Sequence, residues 1–419
     1  MAPNADDNEW ERVLWSEDSG RLQELISREA SRDALHKIER HIRQLHVLSE
    51  LQPGSIDRDR AARRIYQLSA VLPELRLQMG GWLEQRAHDL KMLQWIRSNS
   101  ALSVVLGAGA TIAAGGPSWP TLVKKLLLIA IDKGREIYAY DETSSGARAR
   151  VDRVKRLTTT TENEARQILD QIKSGSTDTE LLKRGAQICA DLFEESLFQK
   201  ITAILYPGAR RDPSRIHRSL ATLAANRHGS RHGWVSIINY NFDSLMNEAL
   251  AEQGVPYTCH FMANRKIERF GPRNHPNLDH NLAVIHLHGF TPRRAGFDIS
   301  GIDFVFSTQQ FDEIYNDEEP TIVDYAVNNY IRHPAYVALY VGCSFTDEAM
   351  NSVLRDAAER FPARPHYALV ELPKEFRQGD DPGILERETL RYMEMGVRAI
   401  WYSDHDEIPK LLDGLVNVA

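Results

Sequence analysis

The chain has 419 residues, of which 42% are hydrophobic and 26% charged, and its formal net charge is −7. This composition is typical of a soluble globular protein with a substantial core, and the length predicts about two to three domains. The negative charge argues against a protein that neutralises phosphate backbones, so we expect no direct binding to nucleic acid. Three widely spaced cysteines indicate neither a disulfide framework nor a Cys-x-x-Cys zinc site.

The N-terminus and the apolar runs predict a cytoplasmic protein without membrane association. The opening residues, MAPNADDNEW, are acidic and lack the basic and apolar regions of a signal peptide. The longest apolar run, residues 126–131, is far too short to cross a bilayer.

Residues 1–98 are predicted to be helical. Apolar residues recur at spacings of three and four between Leu35 and Leu48, and again between Leu83 and Ile96, which is the pattern of amphipathic helices. Such a region forms either a bundle packed on the next domain or an arm for oligomerisation or partner docking, and the sequence leaves both open.

Residues 99–419 are predicted to form a second domain, a Rossmann-like α/β fold with a doubly wound parallel sheet. Apolar strands alternate with helices there, and a polar helical segment at about 140–230 is interpreted as an insert. The clearest predicted elements are strands 235–241, 282–287 and 336–341 and helices 243–253, 321–332, 348–361 and 384–394. In this architecture ligands bind at the carboxyl ends of the strands, so the residues there are the functional candidates.

Glycine or polar residues follow four of the predicted strands. Each group has an ordinary structural explanation as a turn, a helix cap or a core histidine. The four groups are Gly107-Ala108-Gly109, Asn239-Tyr-Asn241-Phe-Asp243, His286-Leu-His288-Gly289 and Gly342-Cys-Ser344. Their occurrence on successive strands of one sheet predicts a shared site.

The order of these motifs resembles the sirtuin superfamily, and in particular the bacterial sirtuin-like NADases of antiphage defence. The likeness covers roughly residues 100–419 and consists of GAGAT, GGPSW, NFD, HG and GCS in that order. It implies that the NAD⁺ diphosphate lies on Gly107, Ala108, Gly109 and Thr111, the last in the place of the family's serine. It also implies roles for the other candidates. Asn241 bonds the nicotinamide ribose and positions a nucleophile, Asp243 holds the carboxamide, and His288 is the general base or activates the ribose. Gly342 and Ser344 bind the adenosine half. Cleavage of the nicotinamide–ribose bond needs a base tuned near neutral pH and an apolar wall against solvent, which His288 and the pair Trp119 and Phe242 would supply.

Two departures from deacetylating sirtuins favour water as the acceptor. Those enzymes carry aspartate, phenylalanine and arginine after the glycine-proline turn, where this chain has Pro117-Ser118-Trp119-Pro120, and they carry a four-cysteine zinc module that this chain cannot build. The expected activity is hydrolysis of NAD⁺, as a substrate and without a metal, to nicotinamide and ADP-ribose. The alternatives are a protein deacylase or ADP-ribosyltransferase, and a non-catalytic sensor of NAD⁺ or ADP-ribose.

The resemblance also implies control of the activity, because unchecked NAD⁺ hydrolysis would kill the host. We expect an NAD-depleting effector of antiviral defence that assembly or a partner activates, with residues 1–98 as the natural place for that control. A homo-oligomer is expected, and in related systems the partner can be a HerA-type ATPase.

Two pairs of similar residues must be told apart. Asn241 is nearer to the strand end than Asn239, so we assign the catalytic role to Asn241 and a supporting hydrogen bond to a neighbouring loop to Asn239. His288 touches the glycine that ends its strand, whereas His286 lies deeper and is predicted to be neutral and structural.

Overall fold

The structure, a computed structural model, describes most of the α/β part of the chain and part of the N-terminal part. The described ranges are 5–16, 19–28, 81–99, 101–140, 148–193, 197–207, 211–226, 233–270, 282–292, 302–307, 309–310, 320–346, 348–361, 365–378 and 383–416, with single positions between 34 and 68.

Eight strands of the described chain form one central sheet. They are β1 (Ala101–Leu106), β2 (Gly233–Asn239), β3 (Tyr257–Ala263), β4 (Lys266–Phe270), β5 (Leu282–His286), β6 (Tyr336–Val341), β7 (His366–Glu371) and β8 (Val397–Tyr402). Their order is β4-β3-β5-β2-β1-β6-β7-β8. Neighbouring strands are parallel, except that β3 and β4 form an antiparallel pair.

The described chain also contains fifteen α-helices. They are α1 (Ala5–Trp15), α2 (Ser19–Arg28), α3 (Trp82–Asn99), α4 (Ala108–Ala113), α5 (Trp119–Tyr140), α6 (Arg148–Lys173), α7 (Thr179–Phe193), α8 (Leu197–Leu205), α9 (Arg215–Ala225), α10 (Leu245–Glu252), α11 (Ile322–Ala326), α12 (Glu348–Arg360), α13 (Lys374–Gln378), α14 (Ile384–Glu394) and α15 (Glu407–Gly414). A π-helical turn, Val327–Ile331, continues α11.

The sheet is buried on both faces. Leu102 and Val104 of β1 belong to one apolar cluster and Val105 to a second, as expected for parallel strands covered by helices on two sides. The predicted Rossmann-like, doubly wound fold with N-terminal helices and a helical insert is confirmed. Among the described residues, no helix combines the length and the hydrophobicity that crossing a membrane requires.

The strand order places a topological switch point beside β1. The chain passes from β1 to β2 on one side and later returns to β6 on the other, so the carboxyl ends of β1 and β6 border a crevice where ligands bind in this fold class. The two turns there are joined, since the backbone N–H groups of Gly107 and Gly109 donate to the carbonyls of Val341 and Gly342, both at 2.9 Å.

The helical insert has a core that reaches the sheet edge. Buried side chains of α5 to α8, such as Leu126, Ile168 and Cys189, form one apolar cluster that also includes Phe242 and Phe306. The insert therefore packs directly on the NFD segment. The segments 141–147 and 227–232, near the predicted limits of the insert, lie outside the described residues.

The N-terminal part contains two differently packed sets of helices. Side chains of α1 and α2, with Ile38, Ile42 and Leu45 of the predicted stripe, form a separate apolar cluster; Leu35 and Leu48 lie outside the described residues. Helix α3 instead packs on the sheet, where Asp89 lies 3.4 Å from Arg398 of β8 in a buried ion pair. The domain boundary at residue 98 stays a prediction, and this packing means that a truncation should retain α3.

The predicted elements near the site differ from the structure at their ends. Strand β2 stops at Asn239 and α10 starts at Leu245, because the Asn239 side chain accepts a hydrogen bond from the Asn241 N–H group at 3.0 Å and turns the chain out of the sheet. Asn239, Asn241 and Asp243 therefore do not share one strand face.

Candidate functional site

The glycines of the two joined turns are needed for close backbone packing. A β-carbon on Gly107 would lie 2.4 Å from the Gly342 carbonyl oxygen, and one on Gly109 would lie 2.7 Å from the Gly342 α-carbon. Gly342 itself has φ of 69°, in the left-handed region that favours glycine. The first and fourth predicted motifs thus form one unit at the switch point.

Asn241 is attached to this unit. Its side-chain amide donates to the Gly107 carbonyl at 3.0 Å, and the residue is buried. Asn239 supports it through the Asn241 N–H group. Asn241 thus reaches the glycine turn while Asn239 braces the loop that carries Asn241, and the catalytic role of Asn241 stays a prediction.

Asp243 and Thr111, predicted to bind different parts of NAD⁺, contact each other. The Thr111 hydroxyl donates to one carboxylate oxygen of Asp243, and the Leu245 N–H group donates to the other at 3.1 Å. The second bond spans two residues and forms a turn just before α10, whose N-cap residue is Ser244, so the ordinary interpretation of Asp243 as the helix cap is displaced by one residue. A carboxylate has about four acceptor sites, so two bonds leave acceptor capacity for a ligand amide.

The two histidines of the HG motif lie in different surroundings. His286 is fully buried, stacks on Phe290 at 4.4 Å between ring centroids, and its Nε2–H donates to the Asn247 side chain at 3.0 Å. Burial lowers the pKa of His286 to about 3. His286 is therefore neutral, and its purely structural role stays a prediction.

His288 lies beyond the end of β5 among aromatic rings. It stands perpendicular to Tyr240 at 5.2 Å and lies 6.4 Å from Phe242, measured between ring centroids. Burial lowers the pKa of His288 to about 4. The prediction was a base tuned near neutral pH; the apolar wall lowers its pKa instead, because it disfavours the charged imidazolium.

An aromatic cluster closes the site on the side of the insert. Phe242 stacks on Phe304 at 5.7 Å and lies 6.3 Å from Trp119, between ring centroids, and Phe306 contacts both Phe242 and Trp119. The predicted wall of Trp119 and Phe242 is thus brought together. The sequence interpretation missed Phe304 and Phe306, although the segment DFVFS just after the HG motif carried the signal of alternating apolar residues.

The fourth motif ends in an exposed loop. Ser344 is exposed and lies 2.9 Å from Thr346, hydroxyl to hydroxyl, beside Gly342. Ala108, at the start of α4, is exposed as well. Burial raises the pKa of the intervening Cys343 to about 12, so this thiol is a poor nucleophile.

Three residues near Asp243 were not found from the sequence, because they come from the end of the insert and not from a strand end. Tyr206 accepts a hydrogen bond from the Ser244 N–H group at 2.8 Å and donates to the Thr291 carbonyl at 3.1 Å. Arg211 and His217 lie on either side of the start of α9. The charged form of each is favoured by the nearby carboxylate of Asp243. The local signal was the serine cap before RIHRSLATL.

The site and the fold together define a Rossmann-like α/β protein with its polar residues gathered at the switch-point edge. Residues 235–393 match the family model of the SIR2-like domain. This range contains the NFD, HG and GCS motifs, whereas the GAG turn precedes it. The match supports the sirtuin-like superfamily and an NAD-related function, because SIR2-like domains use NAD⁺. No curated protein matches the chain significantly.

Proposed function

We propose that the protein is an NAD⁺ glycohydrolase that releases nicotinamide and ADP-ribose. The observation that carries this proposal is the placement of Asn241. Its amide is bonded to the glycine turn of β1, in the same NFD loop that places Asp243 against Thr111 and Phe242 against His288.

The residue types suit cleavage of the bond between nicotinamide and ribose, which passes through an oxocarbenium-like state. Water attacks the anomeric carbon, the glycosidic bond breaks, and nicotinamide leaves as a neutral base. Asn241 orients the water and the ribose, the neutral His288 imidazole accepts the proton, and Asp243 holds the carboxamide. The ring cluster of Trp119 and Phe242 excludes bulk solvent.

The cysteines support water over an acyl-lysine acceptor. Cys189 lies in the insert core, Cys259 in β3 and Cys343 after β6, so they are spread over three parts of the described fold. Within that described part, no group of three or more histidine, cysteine, aspartate or glutamate side chains is arranged to hold a metal. The absence of a metal from the reaction stays a prediction.

The finer assignment to an NAD-depleting effector of antiviral defence rests on the motif resemblance. In this proposal assembly or a partner, such as a HerA-type ATPase, activates the enzyme through the N-terminal helices. The separate apolar cluster of α1 and α2 supports such a role, because it gives this part of the chain a core of its own.

The test is hydrolysis of NAD⁺ by the purified full chain with a chelator present. We expect nicotinamide and ADP-ribose in equal amounts, and loss of turnover in His288→Ala with an unchanged melting curve. His286→Ala is the matched control, since it should lose stability and keep measurable turnover. Turnover that needs an acylated peptide, or an equal loss of turnover from the two histidine substitutions with both proteins fully folded, would contradict the proposal.

A further inference from the structure

Three of the four residues predicted to cradle the diphosphate already use a donor within the protein. Gly107 and Gly109 donate their N–H groups to Val341 and Gly342, and the Thr111 hydroxyl donates to Asp243. A diphosphate carries two negative charges and would lie near the carboxylate of Asp243. It therefore needs a further donor, preferably a cation, to offset the charge repulsion.

Arg211 lies at the same place, although it is about a hundred residues further along the chain. Its Nη1 nitrogen lies 3.0 Å from the position that a β-carbon on Gly116 would take. The same β-carbon position is 2.4 Å from the Thr111 methyl group, so Arg211 and Thr111 border one glycine. Only glycine at position 116 allows this close approach.

Two groups of the site act on the charge of Arg211. Burial lowers the pKa of Arg211, while the nearby Asp243 and Tyr206 favour the charged guanidinium and offset part of that effect. Asp243 is buried whereas Arg211 is partly exposed. The Nη1 atom of Arg211 is itself buried, so a ligand must enter the site to reach it.

The helix that follows Arg211 has an anchored start. Ser214 and His217 form a capping box at the start of α9, in which the Ser214 hydroxyl lies 2.7 Å from the His217 ring nitrogen Nδ1. Helix α9 in turn packs against α4, which carries Thr111. Arg211 thus lies three residues before the capped start of a helix that contacts the helix of Thr111.

We infer that Arg211 is the diphosphate-binding cation of this site, an inference that rests on the proposed function and adds a residue that no motif contains. The planar guanidinium suits the bidentate bonding of phosphate oxygens, and it remains charged at all relevant pH values. Arg211 therefore determines selectivity for substrates with a diphosphate over substrates without one.

The experiment measures binding by calorimetry, so that it does not depend on turnover. The probes are ADP-ribose, which carries the diphosphate, and nicotinamide, which carries no phosphate. The variants are Arg211→Gln, Arg211→Lys and the control Arg215→Gln, which removes an equal charge from a side chain that is 68% exposed and pairs loosely with Asp413. Melting curves check that each variant is folded.

We expect Arg211→Gln to weaken ADP-ribose binding roughly 10- to 100-fold, the range for losing a charge-assisted hydrogen bond. Arg211→Lys should recover part of this loss, while nicotinamide binding and the Arg215→Gln control stay within twofold of the wild type. The steepness with which added salt weakens ADP-ribose binding should also decrease in Arg211→Gln.

Two outcomes would overturn the inference. In the first, ADP-ribose binds the Arg211→Gln and Arg215→Gln variants with equal affinity, or it does not bind the wild type. In the second, ADP-ribose and nicotinamide lose affinity equally, which would mean that Arg211 only orients Asp243. A wild type that binds ADP-ribose through Arg211 but does not cleave NAD⁺, either as the full chain or without residues 1–80, would refute the proposed hydrolase and leave this inference standing.

Discussion

The contact between the two glycine turns makes a sharp prediction for Gly107→Ala. The added β-carbon would lie 2.4 Å from the Gly342 carbonyl oxygen and 2.8 Å from the Cys343 α-carbon, both of them backbone atoms that cannot rotate away. Overpacking costs about 1–3 kcal/mol, and strain on the bond from the Gly107 N–H group to Val341 adds about 1 kcal/mol. The sum of about 2–4 kcal/mol corresponds to a melting temperature lower by roughly 2–6 °C in a domain of this size.

Thermal unfolding of the full chain measures this effect. Gly414→Ala is the matched control, because nothing lies within 4 Å of its added β-carbon in α15; it should stabilise the helix by about 0.5–1 kcal/mol or leave it unchanged. If Gly107 served only to admit a ligand, Gly107→Ala would melt like the wild type and lose only ligand binding. That result would refute the packing explanation of the turn.

Three further predictions address the asparagines, the histidines and the N-terminal helices. Asn241→Ala should lower the rate of NAD⁺ cleavage by about 10²-fold or more, and the lost bond to Gly107 should lower the free energy of unfolding by about 1 kcal/mol. Asn239→Ala leaves the buried Asn241 N–H group without its acceptor, so it should lower the free energy of unfolding by about 1–3 kcal/mol with a smaller loss of rate. The reverse order of rates would show that the roles are exchanged. Burial lowers the pKa of His286 to about 3 and of His288 and His366 to about 4. Below the ordinary pKa of about 6.5 the unfolded chain therefore binds more protons than the folded one. The free energy of unfolding should fall as the pH drops from about 6.5 towards about 4, by up to about 1.4 kcal/mol per pH unit for each histidine. A urea-unfolding midpoint that stays constant over this range would contradict the burial. Deleting residues 1–80, which keeps α3, should change the oligomeric mass or the basal rate in light scattering and activity measurements, and an unchanged mass and rate would refute control by these helices.

The fold followed from the sequence because its signals are local and repeated. Strand β6 and helix α14 have the predicted bounds, 336–341 and 384–394, since each is an apolar or amphipathic run between clear breaks. The end of β2 was misplaced by two residues. The hydrogen bond from the Asn241 N–H group to the Asn239 side chain competes there with hydrogen bonding to the neighbouring strand. The β-strand propensities of the residues do not include that competition.

The site was only partly predictable for a physical reason. Residues at strand ends can be placed from the sequence, because parallel strands end at one edge; this rule brought Gly107, Gly342 and Asn241 together. It says nothing about side chains that reach the edge from segments outside the strands. Arg211, just before α9, and Phe304, in the segment 302–307, reach the site in that way, and only packing reveals them.

The lowered pKa of His288 could also not be predicted from the sequence. The residue type and its place after a strand suggested a base that titrates near neutral pH. The rings of Tyr240 and Phe242 around it lower the pKa, and one of them reaches it only through the fold of the NFD loop. Because the pKa of His288 is about 4, its imidazole stays neutral well below pH 6.5 and can still accept a proton there.

The measurement that tests the central claim most directly is the mass of the ADP-ribose formed from NAD⁺ in water enriched in heavy oxygen. If water is the acceptor at the edge that Asn241 and His288 form, each product molecule should gain one heavy oxygen on the anomeric carbon, in step with the nicotinamide released. Release of nicotinamide without label in the product, or an ADP-ribosyl group found on a protein or peptide instead, would contradict hydrolysis.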